Sequence, residues 1–243
     1  MDSNAGVRAR FATTQWSLVL AAADRATPDG EEALARLCSQ YWYPVFTFVR
    51  RQGYSPDEAQ DLTQSFFARL IDKNDIGDAD RSRGRFRSFL LTSCQHFLSN
   101  ERDRAGRLKR GGDRVRISID LALAEGRYER GLAHAETPER LYDRQWSLTL
   151  LDRVLQTLRE DYVASGNEVL FNRLHGFLTF DENAGTYAAA AGDLEMTAAA
   201  VKVAVYRLRR RYREAIRREV ADTVASEEEI DDEIRYLLNT LGS

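Results

Sequence analysis

Five apolar residues between positions 197 and 220 (Val201, Val205, Leu208, Tyr212 and Ile216) recur at offsets of 0, 4, 7, 11 and 15, the spacing of one face of a long helix. At about 100° per residue they fill a stripe roughly 80° wide. Lys202, Arg209, Arg210, Arg213 and Arg217 fall on an adjacent face of similar width. Just upstream, Thr186 can cap a short helix over residues 187–191, and Gly192 offers a left-handed stop. A short helix, a turn containing Gly and a longer helix with one apolar and one basic face make the helix-turn-helix plan, in which the basic face meets phosphates. A generic basic amphipathic helix that binds RNA or an acidic partner is the alternative.

The rest of the chain also reads as helix. Only 4 Pro and 15 Gly occur in 243 residues, 43% of them apolar, so a core can form and helices are seldom interrupted. Thr13 or Thr14 can cap a short helix through Trp16, Leu18 and Val19. Residues 29–52 carry an apolar face of Leu34, Leu37, Tyr41, Val45, Phe48 and Val49, with Pro44 expected to kink or divide the helix and Gly53 to stop it. Ser55-Pro56-Asp57-Glu58 is a capping box with Pro at the first helical position; the helix it starts buries Ala59, Leu62, Phe66 and Leu70. Another helix opens near Gly84 and carries Phe86, Phe89, Leu90, Phe97 and Leu98. Across residues 105–140 Gly and Pro interrupt the periodicity, which predicts a linker with one weak helix near 121–130. The pattern resumes at Trp146, Leu150, Val154 and Leu158.

The net charge of −3 hides blocks of opposite sign. Residues 81–116 hold eleven basic and three acidic side chains, and residues 202–218 hold eight and one. Residues 219–233 then carry eight acids and no base. Two separate basic segments predict two contacts with a polyanion. In the tail, Ser226 and Glu229 form a second capping box before Ile230, Ile234, Leu237, Leu238 and Leu241, one apolar face. That helix is expected either to complete the core of the second domain or to fold back near residues 202–218.

No catalytic constellation is apparent. His96, His134 and His175 are isolated, Cys38 and Cys94 form no metal-binding pair, and no Gly-rich phosphate loop follows a strand. A non-enzyme with no cofactor and no metal is the expectation. The absence of a long apolar run or a basic-then-apolar leader predicts a cytoplasmic chain with no membrane span.

Three segments carry a family resemblance. Residues 200–213, Ala-Val-Lys-Val-Ala-Val-Tyr-Arg-Leu-Arg-Arg-Arg-Tyr-Arg, are similar to the recognition helix of sigma-70-family region four. Residues 57–70, with Asp61-Leu62-Thr63-Gln64 and Phe66-Phe67, resemble the region-two helix that grips RNA polymerase. Arg85-Phe86-Arg87-Ser88-Phe89-Leu90, followed by the basic run from Asn100, resembles the segment that melts and reads a minus-ten element. Their order resembles the extracytoplasmic-function sigma factors. Val203 and Ala204 depart from the frequent Ser-Arg, Phe89 replaces a common Trp, and His96 a frequent Asn.

The resemblance implies an all-α protein of two small helical domains joined by a flexible linker, the second containing the helix-turn-helix, plus a short C-terminal helix. Its expected layout is an N-terminal extension (1–28), region two (29–110), linker (111–143), region four (144–218) and an acidic extension (219–243). Its implied partners are core RNA polymerase and promoter DNA, with an anti-sigma protein or a regulatory kinase as a further candidate. Asp61 and Gln64 would hold polymerase. Arg85, Arg87, Asn100, Arg102, Arg104, Arg107, Lys109 and Arg110 would meet the minus-ten element. Lys202, Tyr206, Arg209, Arg210 and Arg213 would meet the minus-thirty-five element. The rival reading is a one-component helix-turn-helix regulator that binds duplex DNA unaided.

Overall fold

Local signals begin most of the helices. In a computed structural model of the chain, which describes residues 28–72, 85–105, 124–128, 136–178, 185–221, 223–224 and 226–242, all regular structure is helical. The expected helix around Trp16 and the positions Arg107, Lys109 and Arg110 lie outside these residues. Helix α1 (Pro28–Arg51) is a single helix despite Pro44. Proline removes one backbone donor, but Tyr41, Trp42, Val45 and Phe46 on both sides of it are buried, and packing holds the two halves together. Gly53 ends the turn after α1 at φ 94°, a conformation that costs glycine little. Helix α2 (Pro56–Asp72) starts with a formed capping box: Glu58 accepts from the Ser55 N–H at 2.9 Å, and Ser55 Oγ accepts from the Glu58 N–H at 3.3 Å. The Ser55 N–H and the Ser55 hydroxyl, which both donate to the Glu58 carboxylate, lower its pKa, so the box is complete above the ordinary carboxylate range and weakens as pH falls through the lowered value.

Helices α3 (Phe86–Ala105) and α4 (Pro138–Ala164) follow, then α5 (Glu168–Leu174), a 3-10 turn His175–Leu178, α6 (Tyr187–Asp193), α7 (Ala198–Ala221) and α8 (Ile230–Leu241). The chain divides into two compact units, Met1–Ser147 with Ala221–Ser243, and Leu148–Val220. Trp146, read from sequence as part of the second domain, belongs to the first. Its indole stacks on Tyr41 at 4.3 Å and meets Phe86 at 6.2 Å and Tyr142 at 5.9 Å. Helix α4 is therefore shared: residues 138–147 lie in the first unit and 148–164 in the second. An uninterrupted helical pattern carries no mark of where its packing partner changes.

The described part of the expected linker is tied down. Residues 124–128 are helical, and Tyr128 is buried. Arg50 on α1 pairs with Glu125 and lies 4.8 Å from the Tyr128 ring, while Arg51 donates to the Glu136 carbonyl at 2.9 Å. The tail departs from the expectation that it completes the second domain. Helix α8 forms, but it packs within the first unit. Its capping box does not form: Ser226 makes no side-chain cap bond, and Glu227–Glu229 is a 3-10 turn. Buried Ile230, Glu233 and Leu237 define the docked face, with Thr223 and Val224 buried just before it.

The second unit has its own core. Leu158 and Tyr162 of α4, Phe171 and Leu174 of α5, Ala190 and Ala191 of α6, and Val201, Val205 and Leu208 of α7 pack together. Thr186 caps α6 by accepting from the Ala189 N–H at 3.2 Å, and Thr197 caps α7 by accepting from the Ala200 N–H at 3.1 Å. The left-handed residue between them is Glu195, at φ 52°, and not Gly192, because α6 continues past the glycine to Asp193.

Candidate nucleic-acid interface

On α2 the buried face comprises Ala59, Thr63, Phe66, Phe67 and Leu70. Leu62, expected inside, is half-exposed, and Thr63 takes the inward position. Asp61 is exposed and Gln64 half-buried, three residues apart on one flank of the helix. The apolar edge of Leu62 lies next to this polar pair in sequence, which suits a protein-binding surface.

Helix α3 carries the basic residues of the first unit in two very different settings. Asn100, Arg102 and Arg104 are exposed near its C-terminal end. Arg102 donates to Tyr54 Oη at 3.0 Å and to Gln52 Oε1 at 3.2 Å, while Arg104 pairs with Glu101 at 3.3 Å. Beside Asn100 an open groove of about 350 Å³ runs between α2 and α3, bordered by Phe66, Arg69, Phe89, His96 and Phe97. Phe86 is buried, whereas Phe89 is half-buried at this groove. Arg69 at the groove was absent from the sequence reading; its position within the apolar pattern of α2 carried no signal. Cys94 and His96 diverge, the thiol buried with its pKa pushed up by burial, the imidazole exposed.

At the start of α3, Arg87 is buried within a cluster of charges. Its Nε donates to Glu233 Oε1 of α8 at 2.7 Å, and its Nη1 pairs with Asp143 of α4. Arg85 joins the cluster, its Nε 2.8 Å from Glu233 Oε2. The Tyr236 ring lies 4.4 Å from the Arg87 guanidinium, and its hydroxyl donates to Asp143 Oδ2 at 2.6 Å. Burial works against the Arg87 charge, but the Glu233 hydrogen bond and the fields of Asp143 and Glu233 outweigh it and raise its pKa. In this structure, then, Arg85 and Arg87 face carboxylates of the same chain.

In the second unit, α7 exposes Lys202, Val203, Tyr206, Arg207, Arg210 and Arg213. Arg210 pairs along the helix with Glu214 at 2.8 Å. Arg209 differs from its neighbours: it is half-buried and donates to the Phe177 carbonyl from Nε at 3.2 Å and Nη2 at 2.9 Å. It ties α7 to the 3-10 turn. Arg207, which the sequence reading left aside, is exposed in its place. Among the described residues no group of three His, Cys, Asp or Glu side chains could hold a metal ion, and no helix is long and apolar enough to cross a membrane.

A model of the ECF sigma factor family matches residues 50–218, a span that takes in α2, α3 and α7 and stops before α8. No curated protein and no solved structure matches the chain.

Proposed function

Because the chain belongs to the ECF sigma factor family, whose members bind RNA polymerase and direct promoter-specific initiation, we propose a division of that task between its two units. The observation that carries the reading is the family match across both motif-bearing segments together with the exposed basic face of α7. In the first unit Asp61 and Gln64 contact core polymerase. Asn100, Arg102 and Arg104, with Arg107, Lys109 and Arg110 beyond them, hold the opened minus-ten strand. The groove beside Asn100 offers half-buried Phe89 to an unstacked base, with Arg69 at its edge. In the second unit Lys202, Tyr206, Arg210 and Arg213 meet the minus-thirty-five element in the major groove, with Arg209 holding the helix in place.

The decisive experiment supplies purified core RNA polymerase and genomic DNA templates and sequences the transcripts. Transcripts whose start sites share an upstream element, made only when the chain is added, support the reading. If the chain binds duplex DNA but never changes where polymerase starts, it is a regulator and not a polymerase subunit. Two further outcomes are expected. Changing Asp61 and Gln64 together to Ala will weaken core binding about tenfold or more, a loss of ~1.4 kcal/mol, without lowering thermal stability. Unchanged affinity in a titration would remove these residues from the interface. Replacing Lys202 by Ala will weaken promoter binding at any sequence and reduce the salt slope by about one, whereas Tyr206→Ala will alter sequence preference and leave the slope unchanged. Equal slopes for the wild-type chain and Lys202→Ala would show that Lys202 touches no phosphate.

A further inference from the structure

Helix α8 lies outside the family match, yet it makes the most deeply buried charge contact among the described residues. Glu233 is fully buried, and both of its oxygens are used, Oε1 by Arg87 and Oε2 by Arg85. The same helix adds Tyr236 to the cluster and links Thr240 Oγ1 to Ser147 Oγ at 2.9 Å. Upstream of it, the Phe86 N–H at the start of α3 donates to the Thr223 carbonyl at 3.2 Å.

We propose that the Arg85–Arg87 pair is an anion site for the phosphate backbone of an opened DNA strand, and that Glu233 of α8 is its displaceable internal occupant. This rests on the reading of α3 as the strand-binding helix. Arginine takes a carboxylate and a phosphate through the same forked set of donors, so one can replace the other without rebuilding the site. Desolvation cancels much of the attraction in a buried ion pair, so the carboxylate-filled site is not held shut by a large net energy. Arg85 provides the way in, because its side chain remains about one-third exposed while Glu233 is enclosed. Asp143 stays with Arg87 in either state, which leaves the emptied site, formed by Arg85, Arg87 and Asp143, a single net positive charge. The acids that precede and begin α8 (Glu227, Glu228, Asp231 and Asp232) are exposed and repel an approaching strand while the helix is docked.

The test compares binding of a fluorescein-labelled A/T-rich single strand to three proteins, each with and without core RNA polymerase. The first is the full chain and the second a chain ending at Ser226, which keeps the buried Thr223 and Val224. The third is the full chain with Ser147→Cys and Thr240→Cys in a Cys38→Ser background, since hydroxyls 2.9 Å apart place a disulfide within reach. The shortened chain is expected to bind about tenfold more tightly, with a salt slope steeper by about 0.7, the increment for one neutralised phosphate on a single strand. Arg85→Ala in the shortened chain removes that increment. The oxidised double-cysteine chain binds weakly and regains its affinity on reduction. Equal binding by the oxidised and reduced forms, in both settings, overturns the proposal even if the shortened chain fails to fold. Failure of the full chain to bind core polymerase would instead sink the sigma-factor reading, and the comparison without polymerase would still decide the role of Glu233.

Discussion

Arg87→Leu is expected to lower the stability of the first unit by about 3–5 kcal/mol, because it strips the central cation from a buried charge cluster. Glu233 would then keep only the half-buried Arg85, and Asp143 only the Tyr236 hydroxyl. Two buried carboxylates that have lost their central cation must either stay charged at a large desolvation cost or bind protons, and each outcome weakens the folded state. Glu233→Leu alone removes a charge while leaving Arg87 with Asp143, so its effect will be smaller. Combining Arg87→Leu with Glu233→Leu should recover a large part of the loss, since apolar replacements are often tolerated where a broken pair is not. Urea unfolding followed by the fluorescence of Trp42 and Trp146 measures all three, and the double-mutant cycle isolates the pair. A loss below about 1 kcal/mol for Arg87→Leu would mean that water reaches the cluster and that the pair is a surface contact in solution.

Trp146→Ala is expected to be comparably severe, on the order of 3–5 kcal/mol, and confined to the first unit. The indole is 2% exposed and contacts aromatic rings contributed by α1, α3 and α4. Its removal leaves a cavity that three helices border and that none can fill by a rotamer change alone. Hydrogen exchange gives the location of the damage as well as its size. Amides in α1 and α3 should lose protection while those from Val201 to Leu208 keep theirs. Equal loss in α7 would place Trp146 in the second domain, as its helical spacing with Leu150 and Val154 suggests.

Trp146 shows how far reading the chain alone can go. Caps and periodicities were legible because they depend on neighbours within four residues. Ser55 with Glu58, Thr186 before α6 and the apolar stripe of α7 all needed only helix geometry. The candidate surfaces on α2 and α7 were legible for the same reason, with Asp61, Lys202 and Tyr206 on the exposed faces that the spacing predicts. Local spacing says which residues share a face, and leaves open what that face meets. Thr63 rather than Leu62 points inward on α2 because the partner helices fix the rotation of the stripe by a few tens of degrees. A run of arginines looks uniform in sequence, yet Arg209 ends on a carbonyl, Arg87 on two carboxylates, and Lys202 and Arg207 on the exposed surface. The acidic tail shows this most clearly. Its spacing called for a docked helix, and two basic segments offered it a partner of the right sign. Coulomb attraction does not distinguish one set of arginines from another. The choice of Arg85 and Arg87 came from a burial site for Ile230 and Leu237 beside them, formed by segments far apart in the chain, and only packing brings those segments together.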